Sequence, residues 1–450
     1  MRFPGMNGLV LLLLAAANPL PAQDDSADKK YKLAERSEDS RPFAVDYTLD
    51  VSGVLSEQVA SDDTKTFPLK SKAVLQYTER RLPSAGRDAA SLRALRFFDK
   101  HETDVTVEAH KTELRLPPDN RLFVVQGRDD ELLYYPPAKL LSARLLEQLR
   151  IPFDTLSALS LLPKTPVEKG ETWTPDTWCQ QVATGIEAIL KSEFTCTLKE
   201  VRGEIAFIDI KGKLSGGRFG ASAELEFEGG YEFDLVQNYL RDLHVTLKDK
   251  STISPVSPGL DIAANIHFTR KPAKPHPQLT DELFAKIPLD PAPERLLLHF
   301  DSQWGTRFLH TRNWHIIPGQ YVVLRLLESG SLISQGTMMQ LPKMPPGEHN
   351  DLKVFQSDIR KSLGERLREI RSAEEIPTRD GRFLYRVTAV GKSNGREMIW
   401  RYYLCANSDG RQVSFVFATE EELLEDLRDR DLNLIATLSW PTQAGPTKAE

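Results

Sequence analysis

His299, His310 and His315 lie close together in the sequence, and clustered imidazoles raise the question of a metal site. Their spacing across a turn between short apolar runs is not a usual ligand pattern, and no nearby carboxylate is placed to complete a set. They are read as packing or surface histidines, and no metal is expected. Glu224, Glu226, Glu228, Glu232 and Asp234 offer hard oxygen ligands of the kind calcium takes. They alternate along strand-like runs, however, where Lys211, Lys213 and Lys248 on neighbouring runs would answer them as a solvated face. No serine sits in a G-x-S-x-G elbow. Ser215-Gly216-Gly217-Arg218 and Gly229-Gly230 fall between strand-like runs rather than before a helix, so hairpins explain them better than phosphate cradles. No catalytic, metal-binding or cofactor-binding residue is expected.

The three cysteines show no CxxC or Cys/His spacing. Cys179 and Cys196 bracket one short segment and are candidates for a disulfide, with two reduced buried thiols as the alternative. Trp400, Tyr402 and Phe415 stand on adjoining strand-like runs and, with Trp314, are candidates for a binding surface or for core packing. With 27% charged residues and a net charge of -6, the chain shows no polyanion-binding balance, and no nucleic-acid partner is expected.

The elements that must carry these residues follow from the chain in order. At 450 residues the prior is two domains. Residues 1–22 read as a signal peptide: Arg2, an apolar run from Leu9 to Ala17, then Leu20-Pro21-Ala22 before Gln23. The run is too short to span a bilayer comfortably, so the mature chain is expected to be exported, periplasmic or extracellular, without an integral span. Residues 23–41 are polar and read as a disordered lead-in. Residues 42–270 read as an antiparallel β-rich domain. Alternation recurs at Phe194, Cys196 and Leu198, at Ala206, Ile208 and Ile210, and at Ala221, Ala223, Leu225 and Phe227. It continues through Tyr231, Phe233, Leu243, Val245, Leu247, Ala264, Ile266 and Phe268. One wet and one dry face imply a sheet covered on one side, curling half-barrel-like around Leu-rich helices near 140–162. That shape is similar to the half-barrel of exported lipoprotein carriers.

Residues 271–293 form a Pro-rich linker, and 441–450 a disordered tail. Between them, 294–440 read as strands, a long helix from Asp351 to Ile370, three more strands, and a terminal helix capped at Thr419. Asn394-Gly395 and Asp409-Gly410 separate the last three strands as hairpin turns. Arg312-Asn313-Trp314-His315, Arg382-Phe383-Leu384-Tyr385-Arg386, Trp400-Arg401-Tyr402-Tyr403 and Asp409 to Phe415 together resemble the PsbP-like fold, over about 294–440. The resemblance implies a non-catalytic, interaction-oriented α/β sandwich and carries over no catalytic residue. Trp314 is expected to be buried against the long helix, near Phe355 or Ile359.

The fold class expected is therefore α+β: a curved antiparallel sheet with a few helices, then a PsbP-like sandwich. The function expected is an exported, non-catalytic binding or envelope-organising module with a protein partner. A carrier of lipid or another apolar small molecule in the first domain's concavity is the first alternative, and a hydrolase with a dispersed site the second.

Overall fold

The computed structural model describes residues 29–35, 40–60, 63–84, 88, 91–128, 131–328 and 330–441. The expected signal peptide, 1–22, and the expected tail beyond Pro441 lie outside the described residues.

The first strands are β1 (Pro42–Ala60), β2 (Asp63–Leu82), β3 (Arg93–Val107), β4 (His110–Arg115), β5 (Leu122–Arg128) and β6 (Glu131–Tyr135). After β7 (Leu141–Ser142), helix α1 (Ala143–Leu149), β8 (Thr172–Trp173) and helix α2 (Thr177–Thr184) come five long strands. They are β9 (Ala188–Arg202), β10 (Ile205–Arg218), β11 (Ala221–Asp234), β12 (Tyr239–Ser251) and β13 (Gly259–Pro272). A twelve-stranded sheet runs β6-β5-β3-β2-β1-β13-β12-β11-β10-β9-β8, with β4 beside β3. Strand β1 therefore lies between β2 and β13, joining the two ends of this region at the middle of the sheet.

The alternation does its expected work here. Phe194, Cys196, Leu198, Ile208, Ile210, Phe227, Tyr231, Leu243, Val245, Ile266 and Phe268 are all buried on one face. Gly212 stands at an inward position because the ring of Phe227 lies where its Cβ would be, 2.2 Å away. Leu190, inward by simple alternation, is instead 80% exposed, because the β9–β10 register slips beside it and the extra residue turns outward. The outward positions of β11 and β12 include Glu226 and Lys248, which suit water rather than hydrocarbon. Among the described residues no helix is long and apolar enough to cross a membrane.

The apolar face of this sheet is covered by the chain itself. Leu146 and Leu149 of α1, Phe153, Leu156, Leu161 and Ala183 join the sheet residues in one buried cluster. Phe153 and Phe227 meet edge to face at 5.6 Å, and the Tyr47 hydroxyl donates to the Pro152 carbonyl at 2.8 Å. Residues 29–35 belong to this packing too, which departs from the expected disordered lead-in. Leu33 is 1% exposed, and Tyr31 pairs with Val167 through backbone hydrogen bonds of 2.8 and 3.0 Å. The expected linker also docks. Leu279 is buried, and Leu283, Phe284 and Ile287 on and beside helix α3 (Asp281–Lys286) pack on Leu82, Leu95, Val124 and Tyr135.

Beyond it, β14 (Leu298–Asp301) and β15 (Arg307–His310) form a small sheet whose third strand is β7, paired parallel to β14. The seven-stranded sheet follows, with strands β16 (Trp314–Ile317), β17 (Val322–Glu328), β18 (Ser331–Leu341), β19 (Leu367–Glu375), β20 (Phe383–Ser393), β21 (Arg396–Ala406) and β22 (Gln412–Glu420). Its order is β16-β17-β18-β22-β21-β20-β19. Helix α4 (Leu352–Leu363) lies on one face, with α5 (Leu424–Leu427) and α6 (Arg430–Ala436) on the other.

The α+β class is overturned: the chain is mainly β, 55% strand and 15% helix. Two local features explain the shortfall in helix. Gly364, at φ +52°, ends the expected long helix, and the alternating run Leu367 to Ala373 pairs with β20 as strand β19 instead. Thr419 is not a helix cap. It lies within β22, where its hydroxyl donates to Ser334 Oγ at 2.8 Å, and Arg428 at φ 47° then divides the terminal helix. The meander itself is as the turns imply, with Asn394 at φ 52° and Gly395 at φ 79° in the β20–β21 hairpin.

Candidate functional site

Among the described residues, a buried set of ionisable side chains lies on the apolar side of the first sheet, on residues that no sequence motif picks out. Glu79 and Arg81 follow Ala73, Leu75 and Tyr77 on the inward side of β2. Arg270 follows Ala264, Ile266 and Phe268 on β13, and Arg96 lies opposite Glu79 across the β2–β3 pair. The turn between α1 and α2 brings Asp154 and Thr155 down onto them. Phe153, at φ 49°, is a bulky residue in the left-handed region, and that turn buries its ring while aiming Asp154 at β3.

Arg96 is the hub. Its Nη1 and Nη2 donate to the two Asp154 oxygens at 2.6 Å each, and its Nε donates to Glu79 Oε2 at 2.8 Å. Tyr134 donates its hydroxyl to Asp154 Oδ2 at 2.5 Å, and Thr155 donates to Glu79 Oε2 at 2.9 Å. Arg270 grips Glu35 at 2.9 and 3.0 Å and stacks over Phe43 at 4.4 Å. Arg81 stands 3.7 Å from Glu35 Oε1 and 3.6 Å from Glu79 Oε1. Arg81, Arg96 and Arg270 thus balance Glu35, Glu79 and Asp154, and all six side chains are at most 3% exposed or fully buried. Burial alone would raise the Glu79 carboxyl, but Arg96, Arg81, Arg270 and the Thr155 hydroxyl outweigh it and hold the pKa at about 2. Burial pushes the Tyr47, Tyr77 and Tyr134 phenols up. A proton-transfer catalyst needs a group titrating near working pH and a substrate beside it. This set is buried and its carboxylates face guanidinium groups, with no open space for a substrate shown beside it.

The residues singled out from sequence are dispersed. Cys179, Cys196 and Cys405 are free, buried thiols, so the pairing of Cys179 with Cys196 is not formed in this structure. Burial pushes Cys405 up to about 12. The aromatic set divides between the two faces of the seven-stranded sheet. Trp400 and Tyr402 lie under α4 with Tyr385 and Val387, whereas Phe415 pairs with Tyr403 in register and faces α5 and α6. Trp314 is buried at 3% exposure, but on that second face, 5.5 Å from Phe417, and not against Phe355 or Ile359. Strand parity decides this, because Trp314 registers with Leu326, which faces the terminal helices.

The acidic strip is a solvated face: Glu226 pairs with Lys213 at 2.9 Å and Glu232 with Arg241 at 3.5 Å. Among the described residues, no group of three or more His, Cys, Asp or Glu side chains is placed to hold a metal ion. His299 binds Asp301 at 2.9 Å, His315 meets the Phe219 ring at 5.6 Å, and His310 is 2% exposed. His310 Nδ1 donates to the Thr311 carbonyl at 2.8 Å, which leaves Nε2 buried without a hydrogen bond among the described residues. Desolvation lowers both His310 and His315 to about 4.

This sets a pH dependence. A depressed histidine takes up a proton more readily in the unfolded chain, so stability is full above about 6.5 and falls as pH drops toward about 4. At about 1.4 kcal/mol per pH unit, His310 alone costs up to about 3 kcal/mol across that window. Denaturant melts at pH 7.5 and pH 4.5 should show the loss, and His310→Phe should reduce it by about half, His315 supplying the rest. Equal stability of the parent chain at both pH values would show that His310 is not buried neutral.

The open groove between the two sheets, about 600 Å³, is lined by Glu57, Gln58, residues 253–258, Arg325 and Gln335. No family model and no curated protein matches the chain. Among solved structures, the chain is similar to cyanobacterial PsbP (CyanoP) from Synechocystis, at 18% identity over 32% of this chain and 92% of that one, with a TM-score of 0.26. It also overlaps the translocator domain of the autotransporter NalP from Neisseria meningitidis, at 7% identity over 85% and 88% of the two chains, TM-score 0.13. OccK11 from Pseudomonas aeruginosa overlaps at 6% identity over 86% and 97%, TM-score 0.12. At these values no shared fold is defined.

Proposed function

We propose that the chain is an exported, non-catalytic binding module whose C-terminal region is a PsbP-like unit acting on a protein partner in the cell envelope. One observation supports this most: the polar constellation around Arg96 is buried and held in paired charges. It stabilises packing and offers no group poised for turnover. The apolar face of the first sheet, the natural seat of a carried lipid, is covered by Leu146, Leu149, Phe153 and Leu161. Carriage would require the whole segment from Leu141 to Thr184 to leave. That ranks the carrier reading behind the binding module.

Native mass spectrometry of the chain purified from its own envelope fraction separates the readings. A stoichiometric protein partner, lost on mild salt or detergent treatment, is the expected result. Co-purified lipid in place of protein would replace this reading with the carrier. Hydrolysis of a generic ester, phosphate or glycoside that disappears in Asp154→Asn would replace it with an enzyme.

A further inference from the structure

Residues 29–35 lie as a strap against the buried cluster of the first sheet. Tyr31, Leu33 and Glu35 point inward, while Lys30 and Lys32 point outward, Lys30 reaching Glu168 at 3.5 Å. Three kinds of contact hold it. Val167 supplies strand-like backbone pairing to Tyr31, the apolar cluster receives Leu33, and Arg270 receives Glu35. Backbone pairing with alternate side-chain pockets is how proteins recognise extended peptides.

The ionic end of this groove is under-used by the strap. Arg81 is 3% exposed, yet its Nε, Nη1 and Nη2 donate no hydrogen bond to any described residue. Glu79 Oε1 and Arg270 Nε are likewise without a hydrogen bond among the described residues. Glu35 lies at hydrogen-bond distance from Arg270 but stays 3.7 Å from Arg81, so one carboxylate engages one of two adjacent guanidinium groups. Buried charged donors left in this state are costly. An acidic group seated slightly deeper would engage both forks at once.

We propose that the groove under residues 29–35 binds an extended acidic peptide segment of a partner protein, with an apolar and an acidic residue at alternate inward positions. The chain's own strap is the resting occupant, and Glu35 stands in for the partner's carboxylate. This rests on the reading of the chain as a binding module, and it names a site that reading leaves open.

The test uses the full chain carrying Leu33→Ala and Glu35→Gln, which loosens the strap without removing it. The probe is a fluorescent synthetic peptide of residues 29–35. It should bind this variant at least tenfold more tightly than the parent chain. A probe with Gln in place of its glutamate should lose at least tenfold, and so should Arg270→Met added to the variant, because Arg270 is the guanidinium that holds this carboxylate. Equal binding to parent and variant, or indifference to the probe's carboxylate, would overturn the proposal. Should the variant fail to fold, hydrogen exchange on the parent chain decides. The Tyr31 and Val167 amides should exchange at least a hundredfold faster than central β1 and β2 amides. Exchange at the same rate would mean a strap that never opens, and the proposal falls. Neither failure touches the envelope-partner measurement, which tests the binding module itself.

Discussion

Arg96→Met should be the most damaging single substitution in the first sheet, lowering stability by about 3–5 kcal/mol, the usual cost of stranding a buried charge. The residue is fully buried and satisfies Asp154 through two hydrogen bonds of 2.6 Å and Glu79 through one of 2.8 Å. Methionine matches the stem but leaves both carboxylates without their main cation. Arg96→Lys should recover little, because an ammonium cannot reach Asp154 and Glu79 with one fork. The double variant Arg96→Met/Asp154→Asn should cost clearly less than the two single losses added, since the groups act as one network. Calorimetric melting of the four proteins measures it. Additive losses, or an Arg96→Met chain within about 1 kcal/mol of the parent, would show that the network contributes no coupled stability.

Trp314→Ala should cost about 3–5 kcal/mol through the cavity it leaves. The ring is 3% exposed, meets Phe417 edge to face at 5.5 Å, and shares a cluster with Leu427, Leu434 and Leu438. The face it occupies makes a sharper test than its burial. Trp314→Ala and Leu434→Ala should be non-additive, because both side chains belong to one buried cluster on the same face of the sheet. Trp314→Ala and Ile359→Ala should add, because the sheet separates them. Coupling to Ile359 would put the indole under α4 and contradict the register with Leu326. An unchanged melting temperature with loss of a bound partner would make Trp314 an interface anchor instead.

Period-two alternation and turn chemistry were readable without coordinates, because both are local. Tyr231, Phe233, Val245, Ile266 and Phe268 had to share a face once their strands formed, and Asn394-Gly395 could accept the positive φ of a tight hairpin. The same alternation carried more than apolar residues. Glu79, Arg81 and Arg270 hold inward positions on strands whose other inward residues are aliphatic or aromatic. A charge there is legible as buried, but its partners are not. Asp154 lies 58 residues from Arg96, and Glu35 lies 235 residues from Arg270.

Where local signals competed, the neighbouring strand won. Leu363 to Ile370 has an apolar period that a helix could use, yet β20 offered its edge, and Gly364 released the chain to pair with it. The polar composition of residues 23–41 suggested disorder, but Leu33 and Glu35 need only one apolar cluster and one arginine to be held. Likewise Leu279 and Phe284 in a proline-rich stretch found the outer surface of β2 and β3. Composition reports what a segment can bury by itself, whereas docking depends on what another part of the chain presents to it. The sequence by itself therefore determined strands, turns and the wet and dry side of each strand. Only the tertiary structure decided which side of a sheet Trp314 joined and which charges met, because those choices depend on register and on contacts between residues far apart in the chain.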